Sequence, residues 1–150
     1  MRSRERALAC TATIAAVVLA LTGCFSSGPT LDARAADLAD RLEQSDLGVS
    51  HADVLAPASF TGSLDVTVVL DKDAVDGGYS VSPERLQKIL HVVGEGATDM
   101  RVGSAIFYAE NDQGADLNMT RAAEELGLSD NVSGRSLSFS GEDLKRLAAT

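Results

Sequence analysis

Basic residues are scarce in this chain. Its 150 residues hold 13 Lys and Arg against 22 Asp and Glu, a net charge of −9 at pH 7. A body this acidic is repelled by phosphate backbones and by anionic headgroups. Aromatics are few: two Tyr, four Phe and no Trp. Single-strand stacking platforms need aromatics inside a basic groove, so nucleic acid is excluded as a partner. There are only two histidines, His51 and His91, whereas a zinc site needs three or four ligands in fixed geometry. His91 and Glu95 lie one helical turn apart and supply two at most, so they read first as a solvated pair. The apolar content of 45% is ordinary for a globular fold and too high for wholesale disorder.

Long hydrophobic runs are also missing, with one short exception. Ala7 to Leu21 is uncharged over 15 residues. As a helix it would reach roughly 22 Å, short of a hydrocarbon core of roughly 30 Å. Before it, Arg2, Arg4 and Arg6 stand against Glu5 alone. A basic start, a short apolar middle and a small-residue exit mark a secretory signal, not a spanning helix. The arginines are never adjacent, so the twin-arginine export pattern is absent.

The exit ends in Leu21-Thr22-Gly23-Cys24. This stretch resembles the lipobox of bacterial lipoproteins, where an aliphatic and two small residues precede a cysteine. The resemblance covers residues 1–24. It implies that residues 1–23 are a signal peptide cut between Gly23 and Cys24. It also implies that the Cys24 thiol carries a diacylglyceryl group. Cys10 then leaves with the signal, and no disulfide within the mature chain is possible. Two acyl chains suffice for stable attachment where one gives only marginal binding. The remaining 127 residues carry a net charge of −11 and need no basic patch to stay on the membrane. The Ala-rich, acidic composition resembles that of actinobacterial chains, for which the destination is the outer face of the cell membrane. In Gram-negative sorting, Phe25 after the cysteine would favour the outer membrane.

Residues 24–30 read as a short tether and 31–150 as one α/β (α+β) domain. The spacing of Leu31, Ala35, Leu38 and Leu42 predicts a helix to about Ser45, capped by Thr30. Val49 to Ala56 is a strand candidate ended by Pro57. Ser63 to Leu70 alternates cleanly, with Leu64, Val66, Val68 and Leu70 opposite Asp65, Thr67 and Val69. Ser82-Pro83 opens a second helix with the stripe Leu86, Ile89, Leu90 and Val93, and Gly94 and Gly96 are expected to terminate it. A strand is expected over Met100 to Ala109, a helix over Asp116 to Leu126 and a loop over Ser129 to Arg135. Ser136 to Phe139 reads as a short strand, and Ser140 and Asp143 cap a final helix. The order α-β-β-α-β-α-β-α predicts a mixed four-stranded sheet with helices on one or both faces. Its first five elements are similar in order to BON-type envelope domains, a likeness of topology alone.

No constellation reads as catalytic, so no enzymatic activity and no cofactor are expected. Ser50, His51 and Asp53 have triad letters, but neighbours on a strand point to opposite faces and cannot form a triad. No Gly-x-Ser-x-Gly elbow is present. Asp71, Asp73, Asp76 and Gly77 loosely resemble a calcium loop. Counted from Asp71, however, positions 5, 6 and 12 are Val75, Asp76 and Ser82, where an EF-hand needs an acid, a glycine and a glutamate. The plainer reading of these three aspartates is an acidic strand-to-helix turn. The triplets Asn118-Met119-Thr120 and Asn131-Val132-Ser133 matter for glycosylation only in a eukaryotic-type pathway.

The reading that follows is a membrane-anchored extracytoplasmic lipoprotein acting as a binding or assembly module of the cell envelope. Its partner would be another envelope protein or a small ligand. The alternatives are a structural envelope-maintenance domain and a small hydrolase with an atypical site.

Overall fold

The computed structural model describes residues 28–59 and 61–150. The expected signal peptide, the expected Gly23/Cys24 cleavage site and the expected Cys24 lipidation site lie outside the described residues. Helix α1 spans Leu31–Glu43 and is capped by Thr30, whose hydroxyl accepts from the Ala33 amide at 3.2 Å. Strands β1 (Val49–Leu55) and β2 (Ser63–Leu70) form an antiparallel pair. Helix α2 (Pro83–Met100) then crosses to β3 (Ser104–Asn111), which lies parallel to β2. Helix α3 is Thr120–Glu125. Strands β4 (Val132–Ser133) and β5 (Ser136–Ser140) follow, and helix α4 is Gly141–Ala148.

The sheet has five strands in the order β1-β2-β3-β5-β4, one more than the sequence pattern suggests. The extra strand, β4, falls in the segment read as a loop. It is two residues long and pairs Val132 with Leu137 and Ser133 with Ser136 through a tight turn at Gly134. Two residues carry no periodicity, so pattern reading has nothing to detect.

Helix α2 overruns its expected stop. It continues through Gly94 and Gly96 to Met100 and ends on Arg101 in the left-handed conformation, φ 57°. The glycines serve packing instead. A Cβ at position 94 would stand 2.9 Å from the Leu144 carbonyl oxygen of α4, and one at position 96 would stand 2.7 Å from the Leu38 side chain of α1. Met100 is therefore helical, and β3 starts four residues later than expected. Helix α3 is also shorter than the expected Asp116–Leu126 span, because residues 116–119 form an irregular segment bridged to neighbouring strands and loops.

The helices among the described residues cover one face of the sheet. Leu64, Val66, Val68 and Leu70 of β2, Ala105, Phe107 and Ala109 of β3, and Leu137 and Phe139 of β5 are buried beneath them. Leu38, Leu42, Leu86, Leu90, Val93 and Leu144 meet them from the helices, and together they form one core. Helices α1 and α2 run antiparallel. Arg34 near the start of α1 donates to the Asp99 carbonyl near the end of α2 at 2.7 Å, and Arg85 near the start of α2 donates to the Leu47 carbonyl at 2.6 Å. Residues 28–30 thus enter the domain at the end where β2 and β3 begin. The carboxyl ends of β2 and β3 lie at the opposite end, roughly 27 Å away along α2.

Candidate functional site

The residues with triad letters serve the edge of the sheet. Ser50 is an extra residue in β1, opposite a shift in register between Val49 and His51, and its hydroxyl donates to the Val69 carbonyl at 3.1 Å. The His51 ring lies 2.8 Å from the Glu43 carboxylate, and the same Glu43 oxygen accepts from the Ala52 amide at 2.9 Å. These two contacts, led by the Ala52 amide, hold the Glu43 carboxyl below its ordinary pKa. The physical effect is to occupy an outward N–H of an edge strand that would otherwise pair with another chain. Asp53 takes no part in this contact.

His91 ties helices together. Its Nδ1 lies 3.0 Å from the Leu147 carbonyl oxygen, and because a carbonyl only accepts, that nitrogen carries the proton. Its Nε2 faces Glu95 at 3.6 Å, and Glu95 in turn accepts from Arg41 at 2.6 Å. The chain of contacts joins α1, α2 and α4, and the partly exposed ion pair adds at most about 1 kcal/mol.

Asp71, Asp73 and Asp76 are all exposed and are not gathered around one point. Among the described residues no three His, Cys, Asp or Glu side chains are placed to share a metal ion. Asp71 precedes a short 3-10 turn at Lys72–Ala74, while the Asp76 carbonyl accepts from both the amide and the hydroxyl of Ser80. The loop it closes carries Gly77 and Gly78 at φ 60° and 83° and presents Tyr79 with 73% of its surface exposed. The glycosylation-type asparagines also have structural work. The Asn118 carboxamide oxygen accepts from the Thr120 amide at 2.9 Å, and Asn131 donates to the Ser138 carbonyl at 2.8 Å.

Two features stand out among the described residues as places where something could bind. The first is a cavity of about 570 Å³ at the carboxyl end of β3, lined by residues 114–120 and by the β4–β5 hairpin, with an Arg135–Asp116 ion pair at its mouth. The second is the sheet face that no helix covers. The register places Leu55, Asp65 and Ile106 in one row across β1, β2 and β3, with Asp53, Thr67 and Tyr108 in the next and His51, Val69 and Glu110 beyond. Leu55 is 58% exposed, a high value for a leucine, and Ile106, Tyr108 and Val69 are half-buried beside it.

The charge on that face has one sign. All the Lys and Arg among the described residues lie outside the five strands, whereas Asp53, Asp65 and Glu110 lie on them and point to the bare side. Asp65 is unusual within this group. It sits in a central strand between Leu55 and Ile106, and its Oδ1 has neither solvent exposure nor a hydrogen-bond partner among the described residues. Ser63 Oγ, on the same face, is in the same condition. Asp65 as a residue is nevertheless only half-buried, so the occlusion concerns one oxygen and not the whole side chain. Sequence reading identified Asp65 as off the core side of its strand, but not that its oxygen is shut away from water. The readable clue was the lack of any Lys or Arg in the strand segments.

Comparison with protein families, curated proteins and solved structures finds no match to this chain. The functional reading therefore rests on the residues themselves.

Proposed function

We propose that this chain is a lipid-anchored, extracytoplasmic lipoprotein whose domain is a binding or assembly module of the cell envelope. The anchor half of the reading rests on Leu21-Thr22-Gly23-Cys24 following a short apolar run. The module half is carried by one observation: a sheet face that the described helices leave bare, apolar in part and carrying Asp53, Asp65 and Glu110. With Cys24 held at the bilayer, residues 28–30 lead into the end of the domain where β2 and β3 begin. The strands then run away from the membrane, and the bare face looks sideways along the envelope, open to a neighbouring protein. An acidic body is repelled by anionic lipid, which keeps that face off the headgroups.

Two measurements on material from native membranes test this. Mass spectrometry should find Cys24 as the N-terminus, carrying a thioether-linked diacylglyceryl group. Crosslinking in intact cells should join the domain to another envelope protein. A retained leader or a free Cys24 thiol would remove the anchor, and a chain crosslinked to nothing would remove the module.

A further inference from the structure

We infer that the cleft between the end of α2 and the start of α4 seats phosphate headgroups of the bilayer, with Arg101 and Lys145 as the donors. This rests on the anchor half of the reading above and deepens it by naming the surface that meets the membrane. The cleft holds about 250 Å³. Its floor is apolar, with Ala97, Val102 and Leu144 all buried. Arg101 and Lys145 stand on its walls, both exposed, and neither side chain has a hydrogen-bond or ion-pair partner among the described residues. No carboxylate lines the cleft: Asp143 is paired with Arg146, and Asp99 and Glu142 lie outside it. Of the other described cations, five are in ion pairs and two hold backbone carbonyls. The last is Lys72, beyond the carboxyl end of β2.

Place decides the occupant. Arg34, one turn into α1, holds the Asp99 carbonyl two residues before Arg101, so the cleft lies at the end where the tether enters. Cys24 stands four residues before Gly28, within about 14 Å along an extended chain. A lipid on Cys24 therefore brings this end of the domain to the headgroups. The acids that follow β2 lie roughly 27 Å away along α2, beyond the about 8 Å over which charges act at physiological ionic strength. Their repulsion reaches the surface weakly, whereas Arg101 and Lys145 meet it directly. The planar fork of arginine suits phosphate oxygens, and lysine adds a second charge. The aliphatic floor suits the glycerol carbons beside the phosphate. Two cations are too few to hold an untethered acidic body at a bilayer. On a tethered one they stand the strands upright and turn the bare face sideways.

The test inserts the native lipoprotein into preformed vesicles of equal parts phosphatidylglycerol and phosphatidylcholine. A water-soluble N-hydroxysuccinimide ester then acylates exposed lysines, and mass spectrometry compares Lys145 with Lys72. Lys145 should be protected severalfold relative to Lys72, and less so in phosphatidylcholine alone. Arg101→Gly removes the charge and suits the left-handed backbone there. It should cut the protection roughly fivefold, the change that one cation's attraction represents. Thr98→Glu, on the cleft wall, should do the same and serves if Arg101→Gly fails to accumulate. Equal acylation of the two lysines, stronger protection of Lys72, or protection indifferent to lipid charge and to both substitutions overturns the inference. So does protection of Lys145 by inorganic phosphate alone in the Cys24→Ser protein, which would make this a site for a soluble anion. The same spectra read the state of Cys24. A bare thiol there removes the anchor reading, and coupling it to a maleimide-bearing lipid in the same vesicles lets the Lys145 ratio judge this surface separately.

Discussion

Gly94 of α2 lies so close to Leu144 of α4 that a Cβ at position 94 would stand 2.9 Å from the Leu144 carbonyl oxygen. It would also stand 2.8 Å from the Ala148 amide nitrogen, so it would meet backbone that cannot rotate aside. The two helices are pressed together there because one of them has no side chain.

Gly94→Ala is therefore expected to destabilise the domain even though alanine is the better helix former. The helix gains about 1 kcal/mol from the exchange, but overpacking costs about 1–3 kcal/mol, and backbone atoms place this site at the upper end. At Gly96 the nearest atoms to a new Cβ belong to the Leu38 side chain, which can change rotamer, so Gly96→Ala should have the smaller effect. Urea unfolding of the two variants beside the wild type checks both the sign and the order.

Glu43 should contribute to stability in a pH-dependent way. Its folded pKa is lowered, first by the Ala52 amide and then by His51. A carboxylate with a depressed folded pKa stabilises above its unfolded value, about 4.3 for glutamate, and the contribution is lost as pH falls through the lower folded value. Glu43→Gln should thus be less stable than wild type at pH 7, and the gap should close at pH 3. A gap that stays constant across that range would mean that the charge of Glu43 does no work at this edge.

Helix α4 begins in a reciprocal cap. The Ser140 hydroxyl accepts from the Asp143 amide at 3.3 Å, and the Asp143 carboxylate accepts from the Ser140 amide at 2.8 Å. The Ser140 hydroxyl, then its amide, and Arg146 keep the Asp143 carboxyl below the usual aspartate range. Asp143→Ala should cost about 1 kcal/mol, the typical value for a lost cap. Because that pKa is depressed, the cost should be present above about pH 3.9 and fade below it. Thermal melts of the variant at pH 7 and pH 3 measure both.

The lipid is expected to be the whole of the membrane attachment. Each buried methylene contributes about 0.8 kcal/mol, and two chains suffice for stable anchoring. Cys24→Ser should move the protein from the membrane fraction to the soluble one. No helix among the described residues is long and apolar enough to cross a membrane in its place. A Cys24→Ser protein that still sediments with membranes would point to a second attachment.

The strand β2 was readable to the residue. Ser63 to Leu70 alternates without interruption, and a period of two leaves one choice of face once the core is known. The caps at Thr30, Ser82 and Ser140 were equally plain, because each is a short-range contract between a hydroxyl and an amide three residues on. The stop of α2 was misread because glycine has two uses. It can end a helix, or it can let another helix approach, and only the position of α4 distinguishes them. β4 exists because β5 offers it a ladder, and its own two residues carry no preference strong enough to reveal it.

The sequence alone decided what is local or compositional: the helix starts, the alternating strands, the anionic balance, and the short apolar run that ends in Leu21-Thr22-Gly23-Cys24. Tertiary structure alone decided which side of the sheet the helices take and how closely Gly94 meets α4. It also decided that Asp65 keeps an oxygen away from both water and donors. Those outcomes depend on contacts between segments far apart in the chain, and no local pattern encodes the distance at which two such segments come to rest.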